Sequence, residues 1–83
     1  MMEKTPQSRI GEMSVMDRTG HTQLKWNMDR MEEILAAQDM FSRSIAKGYS
    51  AFGSKSKAAP KHTIQEFDAS MEEIVLVPRI IGG

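Results

Sequence analysis

The residues whose types and spacing can do chemistry are few, and the clearest group is Pro78-Arg79-Ile80-Ile81-Gly82-Gly83. Two residues without a Cβ can enter a crevice too narrow for any side chain and carry a carboxylate to a buried nucleotide. A carboxylate is a poor acyl donor until one of its oxygens becomes part of a good leaving group. Attack on the α-phosphate of ATP would give an acyl-adenylate, from which a thiol, an amine or a sulfur donor takes the acyl group. The catalytic groups for those steps would belong to a partner, so the chain itself is not expected to be an enzyme. Arg79 suits an acidic groove on such a partner, and Ile80 and Ile81 are large apolar side chains that a partner should cover.

Other chemistry is thinner. Asp17-Arg18-Thr19-Gly20-His21 combines an acid, a base and a hydroxyl, but the same residues are explained by turn chemistry. His21 and His62 share no short-spaced ligand motif, so no metal site and no cofactor are expected. Lys55, Lys57 and Lys61 make one segment basic without interleaved aromatic residues. Eleven basic and eleven acidic residues cancel, so no global field draws the molecule to nucleic acid or to an anionic membrane. No apolar run approaches the roughly 20 residues that cross a bilayer. With no Cys there are no disulfides or thiolates, which fits a reducing compartment, and the cytoplasm is the expected location.

The elements that must position the tail follow from patterning. Residues 1–10 have almost nothing to bury and are expected to form a disordered arm. A single domain over residues 11–78 should follow, with 79–83 as a flexible tail. Glu12 to Met16 and Thr22 to Trp26 read as a hairpin turning at Gly20. Asn27 or Asp29 can cap the next helix, with Asp29 and Glu32 as a capping box, and Met31, Ile34, Leu35, Phe41 and Ile45 recur at helical spacing. Gly48 is placed to stop it. Tyr49 to Phe52 suggests a strand, Gly53 to Lys61 an exposed loop, Thr63 to Phe67 a strand and Asp68 to Ser70 a turn. Ile74-Val75-Leu76-Val77 is an apolar run suited to a central strand covered on both faces, and Pro78 ends it. Trp26 and the helix methionines are expected in the core. Met13, Met16, Met28 and Met40 would form an adaptable docking surface if exposed. The fold class is α+β, one helix laid across a small mixed sheet.

The ending Ile74-Val-Leu-Val-Pro78-Arg-Ile-Ile-Gly-Gly83 resembles the ubiquitin-like, β-grasp superfamily, especially the small sulfur carriers whose last strand runs into a Gly-Gly tail. The acidic approach from Asp68 to Glu73 is similar too. The resemblance covers roughly the last 16 residues, and the elements before them agree in order. It implies a carrier or protein modifier whose Gly83 is activated by an ATP-dependent adenylating enzyme, with Gly82 as its small neighbour. The acyl group would then pass to a sulfur-transfer partner or an acceptor protein, including in a bacterial antiphage conjugation pathway. The alternative is a non-conjugated structural or interaction protein of a viral particle or a multiprotein assembly.

Overall fold

The computed structural model describes residues 9–17 and 20–78. The elements in chain order are β1 (Ile10–Asp17), β2 (Gly20–Asn27), α1 (Met31–Ala46), β3 (Ser50–Ser54), β4 (His62–Ile64) and β5 (Glu73–Val77). The five strands form one sheet in the order β2-β1-β5-β3-β4. β5 pairs parallel with β1 and antiparallel with β3, and the other pairs are antiparallel. With α1 packed on one face, this is the ubiquitin-like β-grasp layout expected from the sequence. Residues 1–8 of the expected arm, Arg18 and Thr19 of the hairpin turn, and 79–83 lie outside the described residues.

The hairpin is longer than its patterning suggests because its first strand is specified by packing rather than propensity. Gly11 lies opposite Trp26 in the β1–β2 register. Its missing side chain is filled by the indole: a methyl built on Gly11 would overlap Trp26 Cζ2 and Cε2. Trp26 is 0% exposed, and its Nε1–H donates to the Ala69 carbonyl at 3.0 Å, which removes the cost of burying that donor. Phe67 stacks obliquely between Trp26 and Phe41, at ring-centroid distances of 5.3 and 5.9 Å. Phe67 was expected in a strand from Thr63, but β4 stops at Ile64, and Phe67 instead leaves the sheet edge to pack with the two aromatics.

Gly53 also departs from expectation. It was read as the start of a loop, yet it sits inside β3 opposite Ile74, where a Cβ would come within 2.6 Å of Met71 Sδ. Met71, Met13, Ile74 and Leu76 complete the core with Ala37 and Ala51.

The helix forms where expected, but its buried face is different. Ala37, Phe41 and Ser44 are buried and Ile34 packs against them, whereas Met31, Leu35 and Ile45 are 64%, 55% and 37% exposed. The apolar arc is wider than the buried face, which is formed by Ala37, Phe41 and Ser44. Ser44 is buried without an orphaned hydroxyl because its Oγ donates to the Met40 carbonyl at 2.9 Å. The expected Asp29–Glu32 capping box does not form. Arg30 is the N-cap and makes no side-chain cap bond. Asn27 instead closes a turn, accepting from the Asp29 N–H at 2.8 Å, while Glu33 reaches back to accept from the Asn27 N–H at 2.8 Å. At the other end Gly48 has φ +95°, and the Gly48 and Tyr49 N–H groups donate to Ile45 and Ser44 in a Schellman arrangement.

β5 is central, but it is covered on one face only. Ile74 and Leu76 are fully buried under the helix side, and Val75 and Val77 are half-buried on the opposite face. One helix cannot cover two faces. On the outer face the segment after β3 folds back over only one end of the sheet, as its ion pairs show.

Candidate functional site

β5 is the element that delivers the tail. It lies between β1 and β3, with Val15 level with Leu76 and Ser50 level with Val77. Pro78 follows, exposed and outside the ladder. A strand held on both sides by hydrogen bonds fixes where residue 78 leaves the sheet. The chain therefore departs from a rigid point beside the hairpin end of β1 and the beginning of β3. The tail candidates themselves, Arg79, Ile80, Ile81, Gly82 and Gly83, lie outside the described residues.

The opposite end of the sheet carries most of the charge. Lys57 Nζ is 3.0 Å from Glu12 Oε1, Lys61 Nζ is 2.9 Å from Glu73 Oε1, and Lys55 Nζ is 3.2 Å from Asp68 Oδ2. The Lys57 backbone N–H donates to Glu72 Oε1 at 3.3 Å, and Arg9 reaches Glu72 at 3.8 Å. The lysine segment is thus a strap tied across β5 to β1, where composition alone suggested a freely solvated loop. Its lysines are already engaged by carboxylates. Individually such exposed pairs contribute little, about 0–1 kcal/mol each. Together they give the strap one seat. The hydrogen bond and charge of Glu12 also hold the Lys57 ammonium above its ordinary pKa.

Asp68, Ser70 and Lys55 form a small polar knot. The Ser70 hydroxyl donates to Asp68 Oδ1 at 2.6 Å, the Ser70 N–H donates to the same oxygen at 2.9 Å, and Lys55 donates to Ser70 Oγ at 2.6 Å. The two Ser70 bonds, with Lys55 adding to them, keep the Asp68 carboxyl below the usual aspartate range. A depressed folded pKa means stability that is present above the unfolded value of about 3.9 and is lost as pH falls through the folded value. Ser70→Ala should therefore raise the Asp68 titration midpoint toward 3.9 and shift the onset of acid unfolding upward, as followed by carboxyl chemical shifts and by circular dichroism. An unchanged midpoint would mean Lys55, not Ser70, controls the carboxyl. With Lys55 exposed and tied to a carboxylate, the knot is a turn device and not a serine nucleophile with its base.

The remaining candidates are dispersed. His21 is on β2 and His62 on β4, the two opposite edges of the sheet. Among the described residues no group of three His, Cys, Asp or Glu is close enough to hold a metal. Asp17 and Gly20 face each other across the hairpin end, and Gly20 has φ +140°, which accounts for the glycine. The methionines do not make one surface. Met13 is fully buried, Met28 and Met40 are half-buried, and Met16 is 42% exposed on β1. No described helix is long and apolar enough to cross a membrane. What sequence reasoning missed is the flank of α1, whose exposed Met31, Leu35 and Ile45 it assigned to the core; the signal was an apolar arc too wide for one contact.

No family model, curated protein or solved structure matches this chain.

Proposed function

We propose that the chain is a ubiquitin-like carrier or protein modifier, activated at Gly83 by an ATP-dependent adenylating enzyme in the cytoplasm. The observation that supports this reading most is the direction of β5: the central strand of a β-grasp sheet leads through Pro78 into Arg79-Ile80-Ile81-Gly82-Gly83. Six residues beyond Val77 reach at most about 20 Å at full extension, enough to carry a carboxylate into a partner's deep cleft while the domain stays outside.

The chemistry balances without any group from this chain except the terminal carboxylate. Its oxygen bonds to the α-phosphorus of ATP and pyrophosphate leaves. A sulfur nucleophile or an amine then bonds to the Gly83 carbonyl carbon and AMP leaves. The products are a thiocarboxylate, a thioester or an amide. Arg79, Ile80 and Ile81 are the residues that would be held by the activating enzyme. The occupied lysines of the strap support leaving nucleic acid out of the partners.

The test is intact mass spectrometry of the protein taken from its natural host, with the peptide that ends at Gly83 sequenced. A thiocarboxylate or a glycine-linked acceptor is the expected result. A free carboxylate throughout, with the protein found in stable particles, would replace this reading by that of a structural component of an assembly. One observation favours that second reading: the uncovered apolar flank of α1, which needs no activation to bind.

A further inference from the structure

Of the large apolar side chains that stand most exposed, Met31, Leu35 and Ile45 share one helix. With Gln38 and Ser42 they advance in steps of four, three, four and three residues, the spacing that keeps side chains on one line of a helix and forms a helix-pairing seam. The line holds no charged residue. At about 100° per residue it runs a quarter turn around α1 from the face that packs on the sheet, so the protein's own core does not use it. A shallow cleft bordered by Ser42, Ile45, Gln65 and Glu66 lies along the same flank.

The order of residues on this line reads similarly in both directions, with large apolar groups at its ends and Gln38 at its middle. We propose that α1 pairs with α1 of a second copy of this chain, antiparallel about a two-fold axis at Gln38. Met31 then lies level with Ile45 of the other copy, Leu35 with Ser42, and Gln38 with itself. Leu35 over Ser42 sets a large side chain against a small one. Each Gln38 amide offers both a donor and an acceptor, so the two can exchange hydrogen bonds across the axis.

Charge selects the antiparallel sense. Glu32 and Arg43 flank the line on its solvent side and become level with each other across the pair. A parallel pair would put Glu32 and Arg43 of the two copies on opposite sides of the seam, where they do not meet. The two Asp39 side chains come near the axis, each already neutralised by Arg43 of its own chain at 3.0 Å. The seam is four turns long, about 21 Å, which places it at the small end of specific interfaces. The dimer is therefore reversible and concentration-dependent. It is independent of any chemistry at Gly83.

The sequence contains no cysteine, so single cysteines report on the pairing directly. Under mild oxidation Gln38→Cys should form a disulfide dimer at least about tenfold faster than Leu35→Cys, whose copies stand too far apart along the axes to bridge. An equimolar mixture of Leu35→Cys and Ser42→Cys should cross-link as the heterodimer. Sedimentation of the wild-type chain should show dimer growing with concentration, and Leu35→Glu should leave monomer throughout. Glu32→Arg and Arg43→Glu should each weaken the dimer, and an equimolar mixture of the two variants should restore it as the heterodimer. Equal oxidation rates at all three positions, faster oxidation of Leu35→Cys, or a wild-type monomer at every concentration would each overturn the proposal. Trp26 fluorescence checks that each variant is folded, and the charge exchange decides the matter if a cysteine variant is not.

Discussion

Gly11→Ala is expected to destabilise the protein by about 2–3 kcal/mol, more than substitutions at exposed positions of the same sheet, because its new methyl lands in the indole of Trp26. The indole cannot yield easily. It is completely buried, its Nε1–H is committed to Ala69, and Phe67 lies against it at 5.3 Å. For a domain of this length total stability is about 4–12 kcal/mol, so the loss should appear as a large shift in the denaturant midpoint. Trp26→Ala removes the same contact from the other side and should cost about 3–5 kcal/mol, with the Ala69 carbonyl losing its partner. Combining Gly11→Ala with Trp26→Phe, which shrinks the ring, should cost less than the sum of the two. Additive costs in urea titrations would show that the glycine and the indole do not share one space.

The second large effect is chemical. Gly83→Ala combined with Gly82→Val should abolish pyrophosphate release by the activating enzyme, by at least about a hundredfold in rate, while leaving the unfolding midpoint unchanged. The reasoning is that a cleft shaped for two residues without Cβ rejects a branched side chain outright, whereas the folded domain ends its hydrogen-bonded ladder at Val77. The two readouts separate the possible outcomes. Loss of activation with intact stability assigns the glycines to the reaction. Retained activation would show that the terminus is not what the enzyme reads, and the carrier proposal would fall.

Much of the architecture was legible before any coordinates. The α1 termination at Gly48, the turn glycine at Gly20 and the apolar run of β5 are local signals, written within a few residues of where they act. What was not legible depends on distant partners. Gly11 and Gly53 look like loop residues until Trp26 and Met71 are placed over them. Phe67 alternates like a strand residue, yet its position is decided by aromatics on β2 and α1. On the helix, period alone cannot say which part of a broad apolar arc meets the sheet. The contact falls on Ala37, Phe41 and Ser44, and a small residue and a polar one do not mark a buried face in a hydrophobicity pattern. The lysine loop was legible as exposed and basic, but composition shows the charges and not the carboxylates on β1 and β5 that receive them.

The parallel pairing of β1 with β5 has a consequence for how the molecule comes into being. Met13 and Ile74 are neighbours in the sheet although 74 − 13 = 61 residues separate them in the chain. Closing so long a loop costs entropy that only the finished contact repays, so the rate-limiting barrier should include β1 and β5 meeting. A fragment ending before Glu73 lacks the strand that joins β1 to β3 and the buried Ile74 and Leu76 that it carries, and should remain unfolded. During synthesis the domain stays uncommitted until its central strand has been made.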